Sequence, residues 1–403
     1  MKHVIIGAGA AGIAAAATLR QSKADDEIVL ISSDNDVHSR CMLHNYISGE
    51  RTKGEIRFIG EDFFQENRII WKKGINVLRI DTQAKVLRTS GGDESYDKLL
   101  IATGSESVIP PVGALRNAGN VYGLRHLADA EAIRERAQQA ERIVIIGAGL
   151  VGLDAAYALL ALGKKPVIVE MEKRVLPLNL DERSAAAYQK LFEDHGCIFR
   201  LGCKVKDTIS TGTQISAISL EGGETLLCDM VIVAAGVRPA IPFLEGSGIE
   251  YSRAITVDER MRTSVADVYA AGDVTGLSGI WPNASEMGEV AAKNMTGQDA
   301  VYDDSFSLKN IVHFFGLATM SSGVLYPAEG DSVVIREIGK HYNKWILRDG
   351  VVQGVILQGD VSYSGFWQYL IKNRIKVKEP VWKASYADYF SVLESGEYTY
   401  AAS

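Results

Sequence analysis

The chain has 403 residues, 47% of them hydrophobic and 23% charged, and a net charge of −7. This is the composition of an ordinary globular protein of two or three domains, with enough core to need no disulfide staple. The acidic balance excludes the basic field that holds nucleic acid or an anionic membrane, so neither is expected as a partner.

His3-Val4-Ile5-Ile6 reads as a first strand directly after Met1-Lys2, which leaves no room for a signal peptide. A cytoplasmic protein with reduced thiols is expected. The strand runs into Gly7-Ala8-Gly9-Ala10-Ala11-Gly12 and then an alanine-rich stretch over 13–19, which predicts a helix. Ile28-Val29-Leu30-Ile31 is the next strand, and Asp34 follows it 22 residues after Gly12. Further on, Tyr96 to Ala102-Thr103-Gly104 predicts a strand ending in a glycine turn. Ile143-Val144-Ile145-Ile146 then leads into Gly147-Ala148-Gly149-Leu150-Val151-Gly152 and a second alanine-rich helix. Residues 143–163 are almost wholly apolar, but Asp154 and the glycines argue for strand plus helix rather than a membrane span. Pro166-Val167-Ile168-Val169 follows and ends at Glu170, 18 residues after Gly152.

One GxGxxG is a weak signal; two, each between a strand and a helix and each followed at about 20 residues by an acid, predict two dinucleotide-binding βαβ units. The first glycine makes the tight turn, the second admits a pyrophosphate and the third lets helix and strand close up. Glu170 at its strand end would accept the ribose hydroxyls and repel a 2′-phosphate, which favours NADH over NADPH. Two more strands end in glycine turns, one at Ala235-Gly236 and one at Ala271-Gly272-Asp273. Ile280-Trp281-Pro282-Asn283-Ala284 predicts a helix start. From about residue 308 the pattern alternates apolar and polar, with three of the five tryptophans (Trp345, Trp367, Trp382), and predicts an antiparallel sheet with helices.

The cysteines, Cys41, Cys197, Cys203 and Cys228, form no CxxC or CxxxxC pair, and no metal site is expected. The last three fall in strand-like contexts and read as structural.

On these motifs the chain resembles the FAD-dependent pyridine nucleotide–disulfide oxidoreductases. The resemblance is to the branch of NADH:rubredoxin and ferredoxin reductases, nitrite-reductase flavoprotein domains, NADH oxidases and coenzyme A-disulfide reductases. It covers essentially the whole chain. It implies an α/β fold with two Rossmann-like nucleotide-binding domains, for FAD and NAD, and a C-terminal α+β interface domain. The FAD domain would take residues 1–115 and 241–307, the NAD domain 116–240 and the interface or dimerisation domain 308–403. The resemblance implies cofactor contacts at Gly7, Gly9, Ala10, Ala11, Gly12, Asp34, Arg40, Cys41, Ala102, Thr103 and Gly104 on the FAD side. It extends them to Gly236, Gly272, Asp273, Trp281 and Ala284. For NADH it implies Gly147, Gly149, Leu150, Val151, Gly152, Asp154 and Glu170.

The departures bear on the electron acceptor. The family's CxxxxC is absent, which puts dithiol chemistry out of reach. At its place stands Ser39-Arg40-Cys41-Met42-Leu43-His44-Asn45-Tyr46-Ile47. One frame, Cys-x-Leu-x-x-Tyr-Ile, resembles members with a single catalytic cysteine, although Met42 replaces the glycine that usually follows it. The other, Ser-Arg-x-x-Leu, resembles rubredoxin and ferredoxin reductases, in which Cys41 would merely pack. Asp154 replaces a glutamate, and Leu150 replaces an aromatic lid. His38 and His44 stand near the expected flavin site; they read as solvated loop histidines, and the alternative is a proton relay near neutral pH. The expected activity is transfer of electrons from NADH through FAD to an electron-carrier protein or partner redox subunit. The alternative is an NADH-dependent coenzyme A-disulfide or persulfide reductase, or NADH oxidase, using Cys41. A homodimer or a place in a redox complex is expected.

Overall fold

The structure, a computed structural model, describes residues 1–23, 25–303, 309–392 and 398–400. The expected boundary at 307/308 lies outside the described residues. By internal contacts the chain forms two units. One joins Met1–Met171 with Cys197–Asp303, and the other joins Glu172–Gly196 with Asp304–Ser403.

The first unit holds two parallel five-stranded sheets. In the first sheet, β1 (Lys2–Ile6) leads through helix α1 (Ala10–Ser22) to β2 (Glu27–Ser32). β1 lies between β2 and the strand Lys98–Ile101, with Ile69–Lys73 and Val268–Ala270 outermost. The β1 and β2 strands are buried on both faces, as parallel strands covered by helices are. In the second sheet, β3 (Ile143–Ile146) leads through helix α3 (Leu150–Ala161) to β4 (Val167–Glu170); helix α2 (Leu43–Ser48) belongs to the segment after β2. β3 lies between β4 and Met230–Val233, with Ile198–Leu201 and Val121–Tyr122 outermost. The apolar run over 143–163 is therefore strand and helix, and among the described residues no helix is long and apolar enough to cross a membrane.

In each sheet the strand before the glycine turn is central. The chain turns to one side for the next strand and to the other for a later one. A crevice opens at the carboxyl ends of the strands where the order reverses, and ligands of such sheets bind there.

The second unit holds the helix Glu182–Asp194, a five-stranded antiparallel sheet over residues 309–358 and the helix Ser364–Lys372. The alternating pattern reads correctly here: Met320, Trp345, Leu347, Val355 and Leu357 pack with Phe366, Trp367 and Leu370 of that helix. A buried ion pair joins Lys344 Nζ to Asp181 Oδ2 at 3.0 Å, with the Tyr342 hydroxyl donating to the same oxygen at 2.7 Å.

Candidate active site

The two glycine turns repeat the same physical construction. Gly7 and Gly147 have φ of +112° and +107°, which side-chain-bearing residues rarely adopt. A Cβ on Gly7 would stand 2.1 Å from the Ala102 carbonyl oxygen, and one on Gly147 would stand 2.4 Å from that of Ala234. A Cβ on Gly12 or Gly152 would stand 1.9 or 2.0 Å from the carbonyl oxygen of the first glycine of its own motif. Glycine is required at all four positions by backbone contact. Gly149 is different: nothing lies within 4 Å of its missing side chain. Gly9 and Gly149 are the N-caps of α1 and α3, and neither helix start has a side-chain cap. A Cβ on Gly9 would meet Arg40 Nη1 at 3.1 Å, so the first turn faces a guanidinium and the second faces open space. Free amides and the positive helix end fit a pyrophosphate at each turn.

A cavity of about 310 Å³ opens beside the first turn. It gathers Gly7, Gly9, Ala10, Ala11, Asp34, Arg40, Cys41, Ala102, Thr103, Gly104, Gly272, Asp273, Trp281 and Ala284 from segments far apart in sequence. Gly12 lies behind it, against the backbone of Gly7. The second turn groups Gly147, Gly149, Leu150, Val151, Gly152 and Asp154 around the start of α3. Glu170 is 8% exposed, and its Oε2 accepts a bond from the Ala148 amide at 2.7 Å, so the acid stands against the turn. Gly236 sits apart, its carbonyl accepting from the Val108 amide.

The helix Trp281–Met295 starts at the cavity wall with Pro282 in its first turn. It comes so close to α1 that a Cβ on Gly288 would lie 2.1 Å from the Ala11 carbonyl oxygen. Phe58 meets Trp281 edge-on at 4.6 Å.

Sequence reasoning missed Glu106, Arg125 and His126, which also line the cavity. Arg125 Nη2 donates to Asp273 Oδ2 at 2.6 Å. His126 Nδ1 is 3.0 Å from Asp34 Oδ1, and its Nε2 is 3.0 Å from Glu106 Oε2. Those two hydrogen bonds raise His126 to about 9. Burial disfavours the ionised form of Asp34, but His126 and Arg40 outweigh it and hold the carboxyl below its usual range. The one local signal was Asp129, three residues after His126, whose carboxylate accepts from the amides of Arg125 and His126. That marks a helix start; it says nothing of the acid 92 residues upstream.

Cys41 is exposed at the cavity, and all four cysteines are free. Burial of its surroundings first, and the Asp154 carboxylate second, raise its thiol above the usual value. Cys197, Cys203 and Cys228 flank strand ends rather than lying within strands, a small departure from the pattern reading. A larger correction concerns His38. It is 3% exposed, not solvated, and burial lowers its pKa; its Nδ1 lies 3.3 Å from the Asp36 carbonyl oxygen of its own loop. The His44 side chain is 19% exposed, and burial lowers its pKa too.

Comparison with known proteins agrees with this geometry. The family model "Pyridine nucleotide-disulphide oxidoreductase" matches residues 1–288. The NADH-dependent phenylglyoxylate dehydrogenase subunit epsilon of Aromatoleum evansii is 31% identical, over 93% of this chain and 92% of its own. The NAD-dependent persulfide reductase from A. fulgidus superposes with a TM-score of 0.84 at 27% identity, over 93% of this chain and 77% of that one. The reductase in the covalent putidaredoxin reductase–putidaredoxin complex gives 0.83 at 25% identity, over 94% of both chains. With two glycine turns of the required backbone geometry and a family match over most of its length, the chain belongs to the pyridine nucleotide-disulphide oxidoreductases, enzymes that work with FAD and NAD(H).

Proposed function

We propose that this oxidoreductase passes electrons from NADH through FAD to an electron-carrier protein or a partner redox subunit. FAD, when bound, accepts a hydride from NADH and releases the electrons singly or as a pair. The amides and helix starts at Gly9 and Gly149 take the two pyrophosphates. Asp34 and Glu170 accept ribose hydroxyls, and the Glu170 charge at the second turn disfavours the 2′-phosphate of NADPH. Asp273, Trp281 and Ala284 complete the FAD side, and Leu150, Val151 and Asp154 border the nicotinamide. The FAD segments are 1–115 and 241–307, interrupted by the NAD segment 116–240. A C-terminal segment from 308 would serve as an interface, in a homodimer or a larger complex. A cytoplasmic location belongs to the same reading.

The observation that carries the acceptor half is the state of Cys41. It has no second cysteine to pair with, and its surroundings keep the thiol protonated. A thiol that resists ionisation is a weak nucleophile toward disulfides and persulfides. The similarity to a dehydrogenase subunit and to a reductase solved with its electron carrier supports the same reading. One observation favours a second reading, a coenzyme A-disulfide or persulfide reductase or an NADH oxidase. Cys41 is open to the cavity, and the A. fulgidus relative reduces persulfide. Replacing Cys41 with Ser separates them. On the first reading NADH-driven reduction of a one-electron dye stays within about twofold of wild type. Loss of dye reduction together with coenzyme A-disulfide reduction would reject the electron-carrier reading.

A further inference from the structure

The cavity beside the first glycine turn is lined by six charged or titratable groups besides Cys41: Asp34, Glu106, Asp273, Arg40, Arg125 and His126. Three are acids and two are arginines. The set is therefore electrically balanced only while His126 carries a proton. We infer that His126 is a positioning residue for FAD, an imidazolium clasp that holds Asp34 and Glu106 and keeps the pocket neutral toward an anionic cofactor. The inference rests on the flavoprotein reading above.

The geometry supports a clasp. Each ring nitrogen of His126 has a carboxylate at 3.0 Å, one following β2 and one on the strand Ser105–Ser107. Both nitrogens therefore donate, which an imidazole can do only when protonated. The backbone of the same residue is anchored, since Asp129 accepts its amide at 2.8 Å. The other neighbours leave His126 as the group that titrates. Arg40 and Arg125 stay charged. Burial lowers the pKa of His38. Asp273 is paired with Arg125 at 2.6 Å. Loss of the His126 proton leaves one uncompensated negative charge beside the pyrophosphate turn, with the Asp34 carboxylate held, among the described residues, only by Arg40 Nη2 at 3.4 Å. A carboxylate has lone pairs enough to hold both the imidazolium and a ribose hydroxyl, so the clasp and the cofactor do not compete for Asp34.

The test is FAD release from diluted holoprotein, read by the fluorescence of free FAD between about pH 7 and pH 10, for wild type and for H126Q and E106Q. The expected result is a dissociation constant that rises about fivefold in wild type as His126 loses its proton, the size of effect one nearby charge gives in a partly solvated site. H126Q should bind FAD about fivefold more weakly at neutral pH, with no such rise. E106Q leaves the imidazole one acid instead of two, so its rise should move toward neutral pH; a purely structural role for His126 would not move it. A flat wild-type profile, or a rise that survives in H126Q, overturns the inference. If none of the three proteins holds FAD at any pH, the flavoprotein reading itself fails and takes the inference with it.

Discussion

Asp154 Oδ1 lies 3.6 Å from Nδ1 of His44, where α3 meets α2. The distance is too long for a hydrogen bond, and that histidine nitrogen is buried without a partner among the described residues. Asp154 is thus crowded by neighbours that do not stabilise its charge, and burial pushes its carboxyl up to about 8.

The sign of the stability effect follows. The folded chain keeps a proton on Asp154 that the unfolded chain has already released above about pH 4. Stability contributed by this site therefore falls as pH rises from about 4 to 8. The D154N variant, which cannot ionise, should melt higher than wild type, with the gap widening from pH 5 to pH 8. Because the side chain is 28% exposed, we expect the gap at pH 8 to be only about 3 °C. Scanning calorimetry at both pH values checks this, and equal gaps would contradict it.

Gly288 should tolerate no side chain. Its would-be Cβ meets the Ala11 backbone at 2.1 Å, and backbone cannot rotate away as a side chain could. G288A must push α1 and the helix Trp281–Met295 apart, at a cost of about 2 kcal/mol. Both helices border the cavity, so FAD retention should fall along with the urea midpoint. An unchanged midpoint would mean that the helices shift freely.

Glu170 is expected to set nucleotide choice. In E170Q the oxygen that accepts the Ala148 amide is kept while the charge is removed. The ratio of kcat/KM for NADPH to that for NADH should rise about tenfold, a difference of about 1.4 kcal/mol. Steady-state kinetics with both nucleotides measure it, and a constant ratio would move selectivity elsewhere.

In the second unit, Lys344 and Asp181 are 9% and 4% exposed. Asp181 also accepts the Ser184 amide at 3.0 Å as the N-cap of the helix Glu182–Asp194. K344M should cost about 3 kcal/mol, because it strands a buried carboxylate. The double variant K344M/D181N should recover part of that loss. The hydrogen bonds from Ser184, Tyr342 and Lys344 hold the Asp181 carboxyl below its usual range against burial. Its contribution is therefore present above about pH 4 and is lost as pH falls through the lower folded value. Denaturant unfolding of the three proteins tests the order.

Local order was legible wherever one segment carries its own physics. Each GxGxxG is read from adjacent residues because first and third glycines contact one another, as Gly7 with Gly12 and Gly147 with Gly152 do. The apolar run over 143–163 divides into strand and helix at its glycines. The alternation after residue 308 is an antiparallel sheet, though its central strands His341–Arg348 and Val351–Gln358 are buried on both faces. Arg125 and His126 were illegible for the opposite reason. Nothing near them in sequence names a partner, and each finds one across a sheet crevice, Asp273 and Asp34 respectively. His38 was misread because a loop residue is solvated by default, and only the fold of its own loop decides otherwise.

The sequence by itself determined that two strand–glycine–helix turns exist, that an acid follows each and that no CxxC or CxxxxC motif is present, since these depend on neighbours within about 20 residues. Only the tertiary structure decided which charges share the first crevice and so made His126 the group that balances it. The reason is physical: a turn is specified by short-range sterics, whereas the ionisation of a buried group depends on every charge that folding brings within a few ångströms.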